Sequence, residues 1–192
     1  MAKQQRAERS RRAILDAAAG EFDQHGYEGA RLDRIVEQSG LTKGAMYFHF
    51  SSKRELAVAL IEEKYANWPA VIAEVSGSGL RGVAAVSALT HRVAAVFIGD
   101  VRVRAAMKLT QTVVPPTPDD NPYERWIGIL TVFLQQAVDD GELVDVDPRE
   151  LAVVGVQAFF GAYMIADELG RLATFDDDVT RLWGALLPRA RR

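Results

Sequence analysis

The sequence predicts an all-α fold of about nine helices, and three observations predict it. Apolar residues recur at helical spacing, as Ile14, Leu15, Ala18 and Phe22 do early in the chain and Trp126, Leu130, Phe133 and Leu134 do late. Helix punctuation stands between these stripes. Thr42, Ser52 with Glu55, and Asp147-Pro148 open helices, while Gly26, Gly40 and Gly141 end them. Finally, the stretch 113–122 holds four prolines, which remove donors and fix φ, so it reads as an exposed loop between two helical blocks.

A chain of 192 residues, 48% hydrophobic and 26% charged, is long enough to bury a core and reads as one or two globular domains. It has no cysteine, which excludes a disulfide framework, a thiolate nucleophile and cysteine-ligated zinc. His25, His49 and His91 are far apart without metal-ligand spacing, so neither metal nor cofactor is expected. The N-terminus is polar and basic without an apolar signal-peptide core, and no uninterrupted apolar run is long enough to span a bilayer; a cytoplasmic protein with no membrane partner is the expectation. The net charge of −3 is unevenly divided. Residues 1–55 hold ten Lys/Arg against eight Asp/Glu, a balance of +2, and the remainder carries −5. The basic end is the one suited to nucleic acid.

The first helix is expected from about Arg6 to His25, with Gly26 as its left-handed stop and Tyr27 packing back beneath it. Lys3, Arg6, Arg9, Arg11 and Arg12 lie ahead of the first apolar stripe, either as a solvated terminus or as an arm contacting phosphates. The second helix, about Leu32 to Ser39, turns Leu32, Ile35 and Val36 inward but has no hydroxyl cap; Arg31 stands there as a substitute phosphate ligand, or the cap is simply weak. Gly40 makes the turn and Thr42 caps the third helix, a spacing that fits a helix-turn-helix. Ser52 and Glu55 form a capping box that starts the fourth helix at about Lys53; it continues through Leu56, Leu60, Ile61 and Tyr65 towards Trp68, where Pro69 bends or ends it. Lys53 is a cation in a first turn, unfavourable by the helix dipole, and a phosphate lying there would account for it.

Ser76-Gly77-Ser78-Gly79 reads as a linker. The fifth helix spans about Leu80 to Phe97 and contains His91, read as a satisfied histidine rather than a ligand contact; the sixth spans Val101 to Gln111. The seventh runs from Tyr123 to Asp139. The eighth opens at Asp147-Pro148 and runs from Leu151 to Leu169, almost uncharged and therefore buried nearly all round. Gly155, Ala158, Ala162 and Ala166 on it permit close approach of another helix, and the ninth helix, about Asp177 to Leu187, adds Leu182, Trp183 and Leu186. Two such apolar helices at the end of the chain suggest a two-fold homodimer through a four-helix bundle.

The third helix carries the chemistry. Leu41 to Phe50 has a hydroxyl cap, a cation at Lys43, no side chain at Gly44 and a run of aromatics, with Phe48 and Phe50 expected in the core. A helix that presses its first turn against base edges needs small, cationic and hydroxyl groups there. With Ile14 to Ala18, Phe22, Gly26-Tyr27, Ile35-Val36, Lys53 and Leu56, this run resembles the DNA-binding domain of the TetR family of bacterial repressors over residues 7–60. Gly29-Ala30-Arg31 departs from that pattern, where relatives usually carry Thr or Ser. The resemblance implies that Lys43 reads guanine O6/N7 and that Gly44 allows close approach. It implies phosphate contacts from Thr42, Tyr47, His49 and Lys53. Tyr47 and His49 also admit a core reading. A palindromic double-stranded operator, bound as a dimer, follows from the same resemblance.

Tyr47 to Phe50, Glu63 to Pro69, and the Pro-rich loop leading to Pro122-Tyr123-Glu124-Arg125-Trp126 are further similar to the γ-butyrolactone (autoregulator) receptors of actinomycetes, although the chain is short for that group. In those receptors the Trp matching Trp126 lines the ligand cavity. This implies a small neutral signalling ligand of γ-butyrolactone or butenolide type, an apolar lining from Leu130, Phe133 and Phe160, and orienting polar groups among Thr110, Gln111 and Gln157. Each of these, Trp126 included, also admits a plain structural reading. The expected organisation is a helix-turn-helix DNA-binding domain over 1–52 and an effector-binding and dimerisation domain over 53–192. No nucleophile elbow, phosphate-cradling glycine loop or paired carboxylates argue for an enzyme. A multidrug-sensing repressor of an efflux pump and an orphan regulator without effector remain as alternatives.

Overall fold

The computed structural model describes residues 2–115, 117 and 121–187. Of the sequence expectations, those on the side chains of Lys3, Tyr65 and Asn67 and on Pro116, Pro118, Asp119 and Asp120 lie outside what is described. The described residues form nine α-helices and one 3-10 turn, with no strand. The helices are α1 (Ala2–Gly29), α2 (Leu32–Ser39), α3 (Lys43–His49), α4 (Lys53–Ser76), α5 (Gly82–Gly99), α6 (Val101–Val113), α7 (Pro122–Asp139), α8 (Pro148–Glu168) and α9 (Phe175–Leu186).

Local signals hold as read. Gly26 breaks α1 at φ 64°, and Gly40 closes α2 at φ 67°. Thr42 Oγ1 accepts from Ala45 N, and Asp147 accepts from the amides of Arg149 and Glu150. The Glu55 amide donates to Ser52 Oγ, while the Glu55 carboxylate accepts from the Ser51 hydroxyl and amide, bonds that hold its pKa below the usual carboxylate value. One expectation is corrected: α1 starts at Ala2, so the basic arm is helical, and Arg11 in it pairs with Glu63 and lies over the Phe50 ring. Of the two readings of Pro69, an end to the helix is excluded, since α4 runs on to Ser76. α5 and α8 are long and apolar enough, by length and composition, to cross a bilayer, though neither is an uninterrupted apolar run, and both pack on α7 and α9 as core helices.

The chain divides into two compact units. One comprises residues 1–68 and 100–116, the other 69–99 and 117–192. The first thus takes in most of α4 and all of α6, beyond the boundary at residue 52 that the sequence suggests. Its core is Ile14, Leu15, Ala18 and Phe22 of α1, Ile35 of α2, Met46 of α3, Leu56 and Leu60 of α4 and Leu109 of α6. Polar groups clamp it. Arg102 reaches Asp16 and Glu63, while Arg104 and Lys108 both reach Asp23. The missing cap of α2 has a partial replacement: buried Glu21 on α1 accepts from the Arg31 amide at 3.0 Å. Lys53 Nζ donates to the carbonyls of Ala30 (2.7 Å) and Glu28 (3.2 Å) and lies 4.9 Å from the centre of the Tyr27 ring. A cation in the first turn of α4 is therefore accounted for inside the chain, by the carbonyls at the end of α1.

In the second unit α5, α7, α8 and α9 surround an aromatic cluster of Phe97, Phe159, Tyr163 and Phe175. The seat of Trp183 is the tightest contact. A Cβ on Gly155 would lie 2.6 Å from the indole ring, so only glycine lets α8 and Trp183 meet.

Lys64 is 5% exposed, with its ammonium 2.9 Å from Met107 Sδ, and burial lowers its pKa from 10.5 to about 8. Between these values the unfolded chain holds a proton that the folded chain has lost, so stability rises with pH across that window; below about 8 the burial penalty is fully present. Chemical denaturation of wild type and Lys64→Met from pH 7 to 10.5 should show wild type gaining on the variant above about pH 8, and a constant difference would refute the shift. For Lys53→Met, which keeps the stem but loses both carbonyl bonds, DNA-free protein should lose about 1–3 kcal/mol in thermal unfolding. Unchanged stability would leave Lys53 no structural role.

Candidate nucleic-acid interface and ligand cavity

α3 has seven residues, and its inner side is fixed by buried Met46, with Phe50 buried just beyond its end. Lys43, Gly44, Tyr47 and Phe48, at i, i+1, i+4 and i+5, form the opposite, solvent-exposed face. Tyr47 is 45% exposed, which removes its core reading. Phe48 is 80% exposed, a correction to its expected place in the core: the side chain points away from Met46 and meets the His49 ring edge-on. His49 is half-buried between Phe48 and Phe50. Lys43 Nζ pairs with Asp33 at 3.2 Å, both side chains being well exposed, so the pair is worth little and is readily exchanged for another anion. Thr42 and Arg31 are exposed, and the Thr42 hydroxyl is engaged as the cap. Lys53 is engaged with the carbonyls described above.

Gly44 differs from Gly26, Gly40 and Gly155. It has no positive φ, and a Cβ there would meet nothing nearer than Thr42 Oγ1 at 4.0 Å. Nothing inside the chain requires a glycine at this place.

In the second unit, a cavity of about 30 Å³ lies between α5, α7 and α8. Leu89, Thr90 and Val93 line it from α5, Trp126 and Leu130 from α7, and Phe160 with its neighbours from α8. Three of the expected residues, Trp126, Leu130 and Phe160, therefore come together. Phe133 lines a different hollow, open and about 500 Å³, with Ile72, Leu80 and Gln136. Thr110 belongs to the other compact unit, where its hydroxyl is taken up by the Ala106 carbonyl. Gln111 also lies in that unit, and Gln157 is exposed, so none of the three polar candidates lines the cavity. Thr90 does, a residue that helical periodicity alone could not single out in an Ala/Val-rich helix.

Of the expected dimer residues, Gly155, Ala166 and Trp183 are buried within the chain; the intrachain indole occupies the surface that Gly155 was expected to offer a partner. Ala158, Ala162, Leu182 and Leu186 are half-buried. α8 is not buried all round: Val154, Ile165 and Leu169 are exposed along the side that also carries Ala158 and Ala162.

Residues 14–60 match the family of bacterial regulatory proteins, tetR family. The A-factor receptor protein of Streptomyces griseus is 33% identical over 98% of this chain, which spans 66% of that protein's length; other curated relatives match over about a third of theirs, such as the repressor AcnR of Corynebacterium glutamicum at 35%. Among solved structures, the TetR family protein CprB from S. coelicolor A3(2) is 31% identical, covering 97% of this chain and 93% of its own, with a TM-score of 0.83. A γ-butyrolactone receptor described as ArpA-like is also 31% identical, covering 94% and 98% with a TM-score of 0.71. On sequence and fold together, the chain belongs to the TetR family of bacterial regulatory proteins.

Proposed function

We propose that the chain is a transcriptional repressor that binds a palindromic operator as a homodimer and is released by a small neutral signal of γ-butyrolactone or butenolide type. In this reading residues 1–52 read DNA and residues 53–192 bind the effector and dimerise, and the protein works in the cytoplasm, on the nucleoid when bound. Gly44 carries the proposal. Glycine weakens a helix by about 0.5–1 kcal/mol relative to alanine, and neither its φ nor its packing calls for it. An external surface pressed against the start of α3 does call for it, and Lys43, Tyr47 and Phe48 share that face. Lys43 then exchanges Asp33 for guanine O6/N7, while Thr42, Tyr47, His49 and Arg31 lie towards phosphates. Phe48 is suited to apolar contact with a thymine methyl or a sugar. Lys53 acts mainly through the carbonyls it binds. Support comes also from the relatives, one described as an A-factor receptor and one, CprB, solved in complex with its biological operator sequence.

Dimerisation through the exposed side of α8 with Leu182 and Leu186 of α9 would bring two copies of α3 to one operator. The effector would enter the cavity beside Trp126. At about 30 Å³ that cavity holds a water or two and no alkyl lactone, so the liganded form must be wider. The signal then acts by its higher affinity for the widened form, with α4, which contributes residues to both compact units, as the connecting rod. The same small volume favours a second reading, an orphan regulator whose body is filled.

The test is binding to a DNA fragment from upstream of the protein's own gene, over a salt series, with and without an organic extract of the host's culture medium. Salt-sensitive binding lost on adding extract is expected; binding that no extract disturbs selects the orphan, and no binding at all rejects the proposal. Gly44→Ala should have opposite effects on two measurements: a stability gain of about 0.5 kcal/mol in thermal unfolding and a marked loss of affinity for the fragment. Equal affinity would remove the argument from Gly44. Trp126→Ala should stay on DNA in the presence of extract, and release as ready as in wild type would take Trp126 out of the effector site.

A further inference from the structure

Asp33 puts a carboxylate where a chain that meets phosphates has least use for one. It is the second residue of α2, exposed, and its Oδ1 lies 3.2 Å from Lys43 Nζ at the start of α3. A carboxylate in a first turn suits the helix dipole, which accounts for an acid on α2 but not for its pairing with the cation of the reading face. Among the described residues, Lys43 is the cation found paired with it. Arg34, next in the chain, is turned to α1 instead, 3.1 Å from His25 Nε2 and 3.6 Å from Glu21 Oε1. When Lys43 moves onto guanine, the Asp33 carboxylate is therefore left against a polyanion without its counter-charge. A charge taken out of water unpaired is strongly unfavourable, so this carboxylate needs a donor on the DNA.

The major groove has few such donors. Phosphate oxygens and the sugar ring offer none, and on the base edges only cytosine N4 and adenine N6 donate. Cytosine N4 comes with the guanine that Lys43 reads, because the two bases are paired and N4 donates to O6 across the pair. An N–H···O bond sets these two atoms about 2.9 Å apart. Lys43 Nζ and Asp33 Oδ1 stand 3.2 Å apart, donor beside acceptor, against acceptor beside donor on the DNA. Thymine O4 beside adenine N6 presents the same order of groups. Guanine alone, however, gives an ammonium two adjacent acceptors, O6 and N7, and so holds Lys43 better.

We propose that Asp33 is a specificity-determining residue: its carboxylate accepts from N4 of the cytosine paired with the guanine that Lys43 contacts, so that the two residues together read one G·C pair and its orientation. The assignment rests on α3 being the helix that reads DNA. Gly44, with no side chain beside Lys43, leaves room for the approach. The same acid weakens binding to DNA of any other sequence, since there it faces phosphates and acceptors with nothing to accept from.

The experiment selects bound duplexes from a pool with a randomised core, using the full-length protein and Asp33→Ala. Affinities are then measured for a selected duplex, for a scrambled one, and for the selected duplex with N4-methylcytosine at the position in question. That base keeps its pairing but loses the N4 hydrogen that points into the groove. Wild type should select a fixed G·C pair at one position of each half-site and lose about tenfold in affinity when the pair is changed to A·T, inverted or N4-methylated. In Asp33→Ala each of these losses should shrink to about twofold, while affinity for the scrambled duplex rises about threefold because a negative charge facing phosphates is gone. A role confined to the dipole of α2 would leave the preference intact. Unchanged preference in Asp33→Ala, selection of A·T at that position, or indifference of wild type to N4-methylation would overturn the role of Asp33 while leaving the repressor reading in place. A wild type that selects no sequence from the pool would overturn the reading of α3 and this inference with it.

Discussion

A helix of seven residues is not stable in water by its own hydrogen bonds, because nucleation fixes several dihedrals for a single bond. α3 exists because Met46 and Phe50 are buried in the core of the first unit, with α3 packed on α1 and α2, while Thr42 supplies the cap. That constraint orders the rest of the first unit. Once Met46 faces inward, the helical period leaves Lys43, Gly44, Tyr47 and Phe48 outward, and none of the four is buried. The reading face is therefore the complement of the core face, and its precision depends on how firmly the core holds Met46.

The core is held from outside by charge. α6 follows α5 in the chain with a single residue between them, yet it belongs with α1, and its attachment is an alternation of small apolar contacts with cations. Ala105, Ala106 and Leu109 are buried, while Arg102, Arg104 and Lys108 reach over the edges to Asp16, Glu63 and Asp23. The Arg104 and Lys108 pairs are the least exposed of these on the carboxylate side, and Asp23 receives both, so neutralising Asp23 would remove a counter-charge shared by two cations. Arg102 joins α1 to α4 through Asp16 and Glu63, with Arg11 on the other oxygen of Glu63. The specificity of the α6 docking lies in this charge pattern, since alanine surfaces alone fit many partners.

What the sequence made legible was local. A cap, a glycine stop or an Asp-Pro start is decided within four residues, and Thr42, Gly40 and Asp147-Pro148 all read correctly. What escaped depended on a partner distant in sequence. Lys53 looked misplaced against its own helix dipole, because the carbonyls of Glu28 and Ala30 that explain it lie in another turn of the chain. Phe48 looked like core because Phe50 is, although two residues along a helix is more than half a turn and the two rings go to different surroundings. Trp183 looked like interface because an amphipathic terminal helix gives no sign of which bulky residue finds a seat within its own chain. Its partner Thr90 is 93 residues away. The packing of α6 was hidden for the same reason: nothing local in it signals that it docks on α1.

The cavity adds a constraint on mechanism. A ligand that binds both states of a protein equally moves no equilibrium, however tight the binding. A space of about 30 Å³ behind Trp126 is the opposite case. Any alkyl-bearing molecule must displace Phe160 or Trp126, both only half-buried, and spread the helices that carry them. Part of its binding free energy is then spent on the change itself, which makes the occupied and empty forms different by necessity. The smallness of the cavity is thus compatible with a responsive protein in a way that a roomy, preformed pocket would not require. It also sets an order on affinity: the apolar area that a ligand buries must exceed the packing lost around Phe159 and Phe160.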